Sequence, residues 1–239
     1  MKTITPLLFA GIIALLSTSC LDRINVTGNG HPASETRTVT SFSKVKSDGD
    51  FKVYITNSEE AEITLRADEN LLQYIETYVS GETLHIDIDG IHSVKAVVPM
   101  EVYIYTPQLE GIVQSGSGTI ISDYFDSDHF DLILSGSGRV DAEFGAESAD
   151  ILLSGSGRIN VAGSLDEAQL TISGSGDVKG INMQVKSCHT LTSGSGNMWI
   201  NVEDYLDVRI SGSGNVYYDG NPRIDTSISG SGNIVSYHQ

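Results

Sequence analysis

The tetrapeptide Ser-Gly-Ser-Gly occurs seven times in the second half of this 239-residue chain. Successive copies are separated by 20, 19, 19, 20, 18 and 18 residues, and they begin at Ser115, Ser135, Ser154, Ser173, Ser193, Ser211 and Ser229. A fixed period near twenty residues is typical of stacked structural units, each too small to bury its own apolar face. The repeat therefore predicts a solenoid.

Apolar residues alternate with polar ones on both sides of each copy. Leu132 and Leu134 precede one copy, and Val140 follows two residues after its last glycine. This alternation predicts half-buried strands, and its parity places both glycines inside and both serines outside. Glycine would let the chain bend or approach the core closely. The serine hydroxyls would then hydrogen-bond in columns from one unit to the next.

No segment of this half has a helical pattern of useful length, so each unit must turn back on itself using only strands and turns. We predict an all-β fold, a right-handed parallel β-helix with 18–20 residues per coil and a rise of about 4.8 Å per coil. A left-handed hexapeptide helix is the rival, but it needs a strict internal period of six. A flexible Gly/Ser linker is the other alternative, but linkers do not keep β-branched residues in register with glycines.

The N-terminus has the features of a lipoprotein signal. A positive start at Lys2 leads into an apolar stretch too short to span a bilayer, and small residues follow up to Cys20. We predict a signal peptide over residues 1–19, acylation of Cys20, and a polar tether over residues 20–36. Ser17 stands where an aliphatic residue is usual, and an ordinary signal peptide cleaved elsewhere is the alternative.

The chain is strongly acidic, with a formal charge of −17. Nucleic acid and anionic lipid surfaces are therefore poor partners. Membrane attachment would come from the lipid on Cys20 and not from a basic patch. The second cysteine, Cys188, has no disulfide partner once Cys20 is acylated, and we expect it to be a buried packing residue.

Residues 37–110 show alternating strand patterns without the tetrapeptide. Within them, residues 68–75 predict one or two helical turns with three apolar side chains facing inward, Leu71, Leu72 and Ile75. Solenoids need atypical end units to close their core. We predict that 37–110 forms the N-terminal part of the same domain as the seven repeats of 111–239, either as irregular coils or as a β-rich cap.

The order of several motifs resembles one protein family. Phe-Lys-Val-Tyr-Ile-Thr at 51–56, Ala-Asp-Glu-Asn-Leu-Leu-Gln-Tyr-Ile at 67–75, Thr-Leu-His-Ile at 83–86 and Val-Tyr-Ile-Tyr-Thr-Pro-Gln-Leu-Glu-Gly-Ile at 102–112 precede the repeats. Over residues 37–239 this order resembles the head GIN domain family of putative auto-transporter adhesins. The resemblance implies a secreted or lipid-anchored β-helical protein of the Gram-negative envelope, an adhesive role by analogy, and no catalytic residues.

Alignment of the repeats places equivalent residues in columns. Asp131 and Asp150 occupy an outward column on neighbouring coils, where like charges repel unless they are offset. Arg139 and Arg158 follow the glycines of the same coils, and we expect them to supply the offset. The four residues are a candidate surface for a ligand or a divalent cation, although a solvated acidic face is the simpler interpretation. The sequence leaves metal binding open.

Asparagine recurs in the column directly after the last glycine, at Asn197, Asn215 and Asn233. Stacked amides of this kind hydrogen-bond along a solenoid axis and fix its turns. The column predicts a structural asparagine ladder.

An apolar stripe, Val113, Ile133 and Leu152, lies on the outward parity of three early coils. We expect these side chains to stack and to be largely buried, because exposed apolar stripes are usually covered. In order of preference, the cover would be residues 37–110, a second copy in a homodimer, or a ligand.

An enzyme is the rival functional class, because polysaccharide lyases and hydrolases also use β-helices. Their chemistry needs paired carboxylates, or carboxylate-bound Ca²⁺ with an arginine base, in a groove. Regular repeats argue against the long loops that build such grooves. The tetrapeptide also lacks the spacing of a nucleophile elbow, and the six histidines show no close metal-ligand spacing.

Taken together, these patterns predict a lipid-anchored, non-enzymatic protein of the bacterial outer membrane, facing the periplasm or the surface. We expect it to act as an adhesin-like binding or scaffolding module, with no cofactor and no catalytic residues. Its expected partners are the membrane through its lipid, and a surface glycan or protein. The alternatives are a polysaccharide-active enzyme and a carbohydrate-binding protein.

Overall fold

The computed structural model describes residues 24–237, and nearly all of them lie in strands. The first nine strands are β1 (Ile24–Thr27), β2 (Pro32–Arg37), β3 (Lys44–Asp48), β4 (Lys52–Asn57), β5 (Glu62–Asp68), β6 (Ile75–Ser80), β7 (Thr83–Ile88), β8 (His92–Lys95) and β9 (Glu101–Thr106). The next nine are β10 (Gly111–Gly116), β11 (Thr119–Gly136), β12 (Arg139–Gly155), β13 (Arg158–Gly174), β14 (Asp177–Gly194), β15 (Asn197–Gly212), β16 (Val216–Asp219), β17 (Arg223–Gly230) and β18 (Ile234–Ser236).

Strands β10 to β18 form the successive coils of a parallel β-solenoid of about seven turns. Equivalent residues of neighbouring coils pair in register, so the tetrapeptide serines align from Ser115 to Ser135, Ser154 and onward. The predicted all-β solenoid fold is confirmed. Each repeat is one coil, and its backbone bonds run to the coils on either side.

The core is a stack of the apolar residues that precede and follow each tetrapeptide. Leu132, Leu134 and Val140 are completely buried, as their parity predicts. Phe130 and Phe144 stack within it, with ring centroids 4.0 Å apart. Cys188 is completely buried as well, which confirms its predicted packing role, and burial raises the pKa of its thiol to about 12.

The two glycines of each tetrapeptide differ, and the predicted inward position is right only for the second. In the central coil Gly176 is buried, whereas Gly174 is partly exposed and lies at the corner with φ of +133°. The backbone turns at the first glycine, so the strand parity does not extend through it. The carbonyl oxygen of Gly155 on the preceding coil accepts the N–H groups of Ser175 and Gly176 at 2.9 and 3.0 Å. At each later corner, one carbonyl oxygen likewise accepts two backbone hydrogen bonds.

The tetrapeptide serines face outward, as predicted, but their expected hydroxyl columns are absent. Among residues 24–237, none of these hydroxyls hydrogen-bonds to the serine of the next coil. The glycine carbonyls and backbone N–H groups already supply the axial bonds at the corner. Serine is therefore a small polar residue on the solvent side of the turn.

Residues 37–110 combine the two arrangements that the sequence left open. Strands β3 and β4 extend the solenoid as an additional coil, because they pair in parallel with β10 and β11. Beyond them, β2–β5, β5–β9 and β6–β7 pair antiparallel and close the N-terminal end. The predicted helical turn is a single 3₁₀ turn over Leu72–Tyr74, and Leu71, Leu72 and Ile75 are buried as expected.

The predicted tether over residues 20–36 is too long. Residues 24–27 pair with β8, and residues 32–37 pair with β5. The carboxylate of Asp68, which is completely buried, accepts the N–H of Gly30 at 2.6 Å and those of Val97 and Val98 at 2.8 and 2.9 Å. This clamp fixes the segment to the N-terminal end of the body.

The environment of Asp68 also sets its charge. Burial alone would raise the pKa of this carboxyl, but the three backbone hydrogen bonds outweigh burial and hold the pKa below its usual 3.8. Asp68 is therefore an ionised anchor at neutral pH.

Within residues 24–237, no helix has the length and apolarity needed to cross a membrane. The predicted signal peptide and Cys20 lie outside the described residues.

Candidate binding surface

The four predicted surface residues do not form one site. Asp131 pairs in register with Asp150, and Arg139 with Arg158, but a tetrapeptide corner separates the two pairs. Arg139 Nε instead lies 2.8 Å from Asp141 Oδ2. The expected offset of the aspartates by these arginines is therefore wrong, because Arg139 points into the strand that follows the corner.

The negative charges of these aspartates are offset by two other residues, which the sequence analysis did not select. Lys44 Nζ lies 2.7 Å from Asp131 Oδ2, and His129 Nε2 lies 3.2 Å from Asp131 Oδ1 and 3.7 Å from Asp150 Oδ2. Burial raises the pKa of Asp131, but the hydrogen bonds from Lys44 and His129 outweigh it, so that pKa lies below its usual value. The sequence could have indicated His129, because it stands two residues before Asp131 and shares its outward parity. Lys44 comes from the extra coil that lacks the tetrapeptide.

His129, Asp131 and Asp150 have ligand atoms that all lie within 4.8 Å of one another. Among the described residues this is the one group with the composition and spacing of a metal centre. However, the Lys44 ammonium already pairs with Asp131, and the side chains of His129 and Asp150 are about half exposed. The cluster has the contacts of a solvated charge network, and the candidate cation surface at Asp131 and Asp150 stays a prediction.

The apolar stripe stacks as predicted, since Val113 pairs with Ile133 and Ile133 pairs with Leu152. Its predicted burial beneath residues 37–110 is wrong. All three side chains are partly exposed, and Val113 pairs on its other side with Lys46 of β3. The N-terminal part extends the same sheet and does not lie over it.

The asparagine ladder is confirmed by its amide contacts. Asn215 Nδ2 donates to Asn197 Oδ1 at 3.1 Å, and Asn233 Nδ2 donates to Asn215 Oδ1 at 3.4 Å. Asn197 in turn donates to Asp177 Oδ1 at 3.3 Å. The ladder therefore links four coils just after their corners.

A second outward column, which we call the axial row, was missed by the sequence analysis. It runs parallel to the solenoid axis with one residue per strand, and its register is continuous through Tyr103, Tyr54, Ile121, Asp141, Asn160, Lys179, Trp199 and Tyr217. From Ile121 onward these residues stand three positions after the last tetrapeptide glycine, a signal that extending the column analysis would have found. Tyr54 and Tyr103 lie in strands with no tetrapeptide to set the phase.

Aromatic pairs occupy both ends of the axial row. Tyr54 and Tyr103 stack with centroids 5.1 Å apart, and Trp199 and Tyr217 stack at 5.0 Å. An ammonium group lies over each pair, with Lys52 Nζ 5.0 Å from the Tyr54 ring and Lys179 Nζ 5.6 Å from the Trp199 ring. These aromatic side chains are partly exposed on a sheet face. Half-exposed aromatic rings beside cations can stack against a ligand and fix its orientation.

The sequence profile of one family, described as "Putative auto-transporter adhesin, head GIN domain", matches residues 41–222. The chain belongs to this family. The resemblance drawn from the N-terminal motifs and the repeats is thus confirmed. An adhesin family fits an exported or cell-envelope protein.

Solved structures show the same fold for this head GIN domain protein. A putative adhesin from Bacteroides fragilis NCTC 9343 superposes with a TM-score of 0.82 at 22% identity, covering 88% of this chain and 99% of its own. A putative lipid binding protein from Parabacteroides distasonis ATCC 8503 gives 0.74 at 24% identity, covering 89% and 100%. A putative adhesin from Parabacteroides merdae ATCC 43184 gives 0.69 at 22%, also covering 89% and 100%. No curated protein matches the chain significantly.

Proposed function

We propose that this head GIN domain protein is an exported, lipid-anchored component of the bacterial outer membrane that binds or scaffolds and does not catalyse. The observation that carries the binding role is the axial row. It is an open, rigid sheet face with aromatic pairs at both ends and polar groups between them. Membership in an adhesin family supports the same role.

The rigidity of the face follows from its construction. Every residue of the axial row from Tyr54 to Tyr217 lies in a strand whose neighbours are paired in register on both sides. A backbone held this way needs no further ordering when a ligand binds, so that part of the entropy cost of binding is avoided. A preorganised face of this type favours recognition of a partner over chemistry that needs moving loops.

The anchoring part of the proposal rests on Cys20 at the end of a short apolar signal. Cys20→Ala should move the protein from the membrane fraction to the soluble fraction of the host cell, while Cys188→Ala should leave it in the membrane fraction. Equal detergent partitioning of Cys20→Ala and wild type would overturn the lipid anchor.

The binding part is tested by displaying the purified Cys20→Ala protein on beads. Retention of these beads on bacterial envelope fragments or on a glycan array, above that of uncoated beads, is the expected result. Retention on neither surface would overturn the adhesin-like role. Lipid vesicles of phosphatidylethanolamine and phosphatidylglycerol form a separate arm, and exclusive retention there would replace adhesion with lipid binding. Release of new reducing or unsaturated sugar ends would overturn the non-enzymatic assignment.

A further inference from the structure

The axial row has the dimensions of an extended ligand. Tyr54 and Trp199 are separated by five coil-to-coil steps, which at about 4.8 Å per step place the two aromatic pairs about 24 Å apart. Between them lies a groove of about 440 Å³, whose lining includes Ile121, Arg139, Asp141, Asn160 and Lys179. The surface therefore repeats at a regular short interval along a straight line.

The charge of this surface differs from that of the rest of the chain. Twelve lysines and arginines lie within residues 24–237, and eight of them form ion pairs with a carboxylate. Of the four that form none in this part of the chain, three flank the axial row or belong to it: Lys52, Arg158 and Lys179. Unpaired cations are concentrated here although the chain as a whole carries −17.

Carboxylates also lie on this surface, and two of them accept hydrogen bonds from neighbouring side chains. Asp141 accepts Arg139 Nε at 2.9 Å and also bonds the amide of Asn160. Asp177 accepts the Asn197 amide at 3.3 Å, and the exposed Glu143 lines the groove. Arg158 and Lys179 lie one coil apart, and neither forms an ion pair with a carboxylate of the described residues.

We propose that the axial row and its groove bind a linear acidic polysaccharide that lies along the solenoid axis. The inference rests on the proposed binding function and names its ligand class. One face of Tyr54 packs on Tyr103 and one face of Trp199 packs on Tyr217, so the partly exposed edges of these rings offer apolar contact to the C–H groups of sugar rings. Arg158 and Lys179 bind the carboxylates of the sugar units, and the exposed amides bind hydroxyls. The row places one side chain per coil at a regular spacing, which suits a polymer of regularly spaced units.

Other extended partners fit this surface less well. A peptide strand cannot extend the sheet here, because the backbone groups beneath the row are paired with neighbouring coils. A nucleic acid would meet the repulsion of a strongly acidic chain. An acidic sugar polymer meets the same overall repulsion, but it also offers C–H groups and hydroxyls along the whole row, and Arg158 and Lys179 meet its carboxylates locally.

The proposal is tested by calorimetric titration of the Cys20→Ala protein with oligogalacturonates and oligoguluronates long enough to span both aromatic pairs. The same oligosaccharides with their carboxyl groups reduced to alcohols are the neutral controls. We expect the acidic oligosaccharides of at least one series to bind at least about tenfold more tightly than their neutral counterparts, equivalent to about 1.4 kcal/mol. Their affinity should fall as salt concentration rises.

Two variants probe the surface directly. Trp199→Ala and the double variant Arg158→Gln with Lys179→Gln should each weaken binding of the acidic oligosaccharide at least about tenfold. Trp199→Phe should retain most of the affinity, which separates the loss of stacking from a loss of fold. Matched controls come from other surfaces: Tyr78, which stacks on His85, and Lys186, which pairs with Asp166. Tyr78→Ala and Lys186→Gln should leave the affinity unchanged.

Several outcomes would overturn the assignment. These are equal binding of acidic and reduced oligosaccharides, unchanged affinity in the folded Trp199→Ala and double variants, and no binding by any acidic oligosaccharide. If the displayed protein still adheres to envelope fragments in those cases, the ligand class is wrong and the adhesin-like function stands. If adhesion is also absent, the proposed function itself fails.

Discussion

The corner glycines are constrained by two separable properties, backbone dihedral and contact. At Gly174 the φ is +133°, and a Cβ would meet the carbonyl oxygen of Gly155. Gly176 has only the contact, since its Cβ would lie 2.6 Å from Leu153 Cδ2 and close to the carbonyl oxygen of Gly157. Gly81 has only the dihedral, with φ of +62° and nothing within 4 Å, and Gly90 has neither constraint. Alanine at these four positions isolates each cost.

The expected magnitudes follow from that comparison. Gly81→Ala should lower the free energy of unfolding by about 1–2 kcal/mol through backbone strain, and Gly176→Ala by about 1–3 kcal/mol through overpacking. Gly174→Ala combines both costs and displaces the carbonyl that accepts the N–H groups of Ser175 and Gly176, so we expect a loss of about 3 kcal/mol or more. Gly90→Ala should be neutral or slightly stabilising.

Thermal unfolding followed by circular dichroism measures the series. For a chain of this size 1 kcal/mol corresponds to about 2–4 °C in Tm, so Gly174→Ala should melt about 6–12 °C below wild type. Ser175→Ala removes an exposed hydroxyl and should stay within about 0.5 kcal/mol. A Gly174→Ala protein that melts with wild type would refute the corner account. Equal melting of Gly176→Ala and Gly90→Ala would refute the contact contribution alone.

Three further predictions concern other parts of the fold. Asp68→Asn should cost about 1–3 kcal/mol, because the buried N–H groups lose an ionised acceptor. Since the pKa of Asp68 is lowered in the folded state, the stability that its carboxylate contributes is complete above about pH 3.8 and is lost as pH falls through the folded pKa. The Tm of wild type should therefore fall more steeply below about pH 4 than the Tm of Asp68→Asn. Parallel curves of Tm against pH would contradict the clamp. The thiol of Cys188, with its raised pKa of about 12, should react with a disulfide reagent at neutral pH only after denaturant is added, and rapid native labelling would show that it is accessible. Ile133→Asp on the uncovered stripe should change Tm by no more than about 3 °C and leave the particle mass in light scattering unchanged, whereas a smaller particle would place a homodimer contact on this stripe.

The repeat predicts the solenoid because spacing and parity constrain the backbone directly. The inward positions of Leu132 and Leu134 follow from alternation, and the contacts of the asparagine ladder follow from the period. Parity fails at Gly174 because its positive φ turns the backbone at the last residue of β13. The alternation of side-chain direction along a strand therefore predicts orientation only up to the bend at which the strand ends.

The partners of side chains were harder to predict than their positions. Lys44 reaches Asp131 across 87 residues of sequence, and no repeat motif marks the coil that carries it. Tyr54 joins the axial row for the same reason, since only the pairing of β4 with β11 sets its phase. A local motif cannot reveal a contact made by a coil that lacks the motif.

The identical corner of every coil gives the molecule a modular length. Joining Gly155 directly to Ser175 would remove one coil and recreate an intact Ser-Gly-Ser-Gly corner. The distance between the Tyr54 and Trp199 ends would then shorten by a single step of about 4.8 Å. The number of coils thus acts as a ruler, and recombination between repeats can change the reach of the surface in whole steps without creating a new kind of turn.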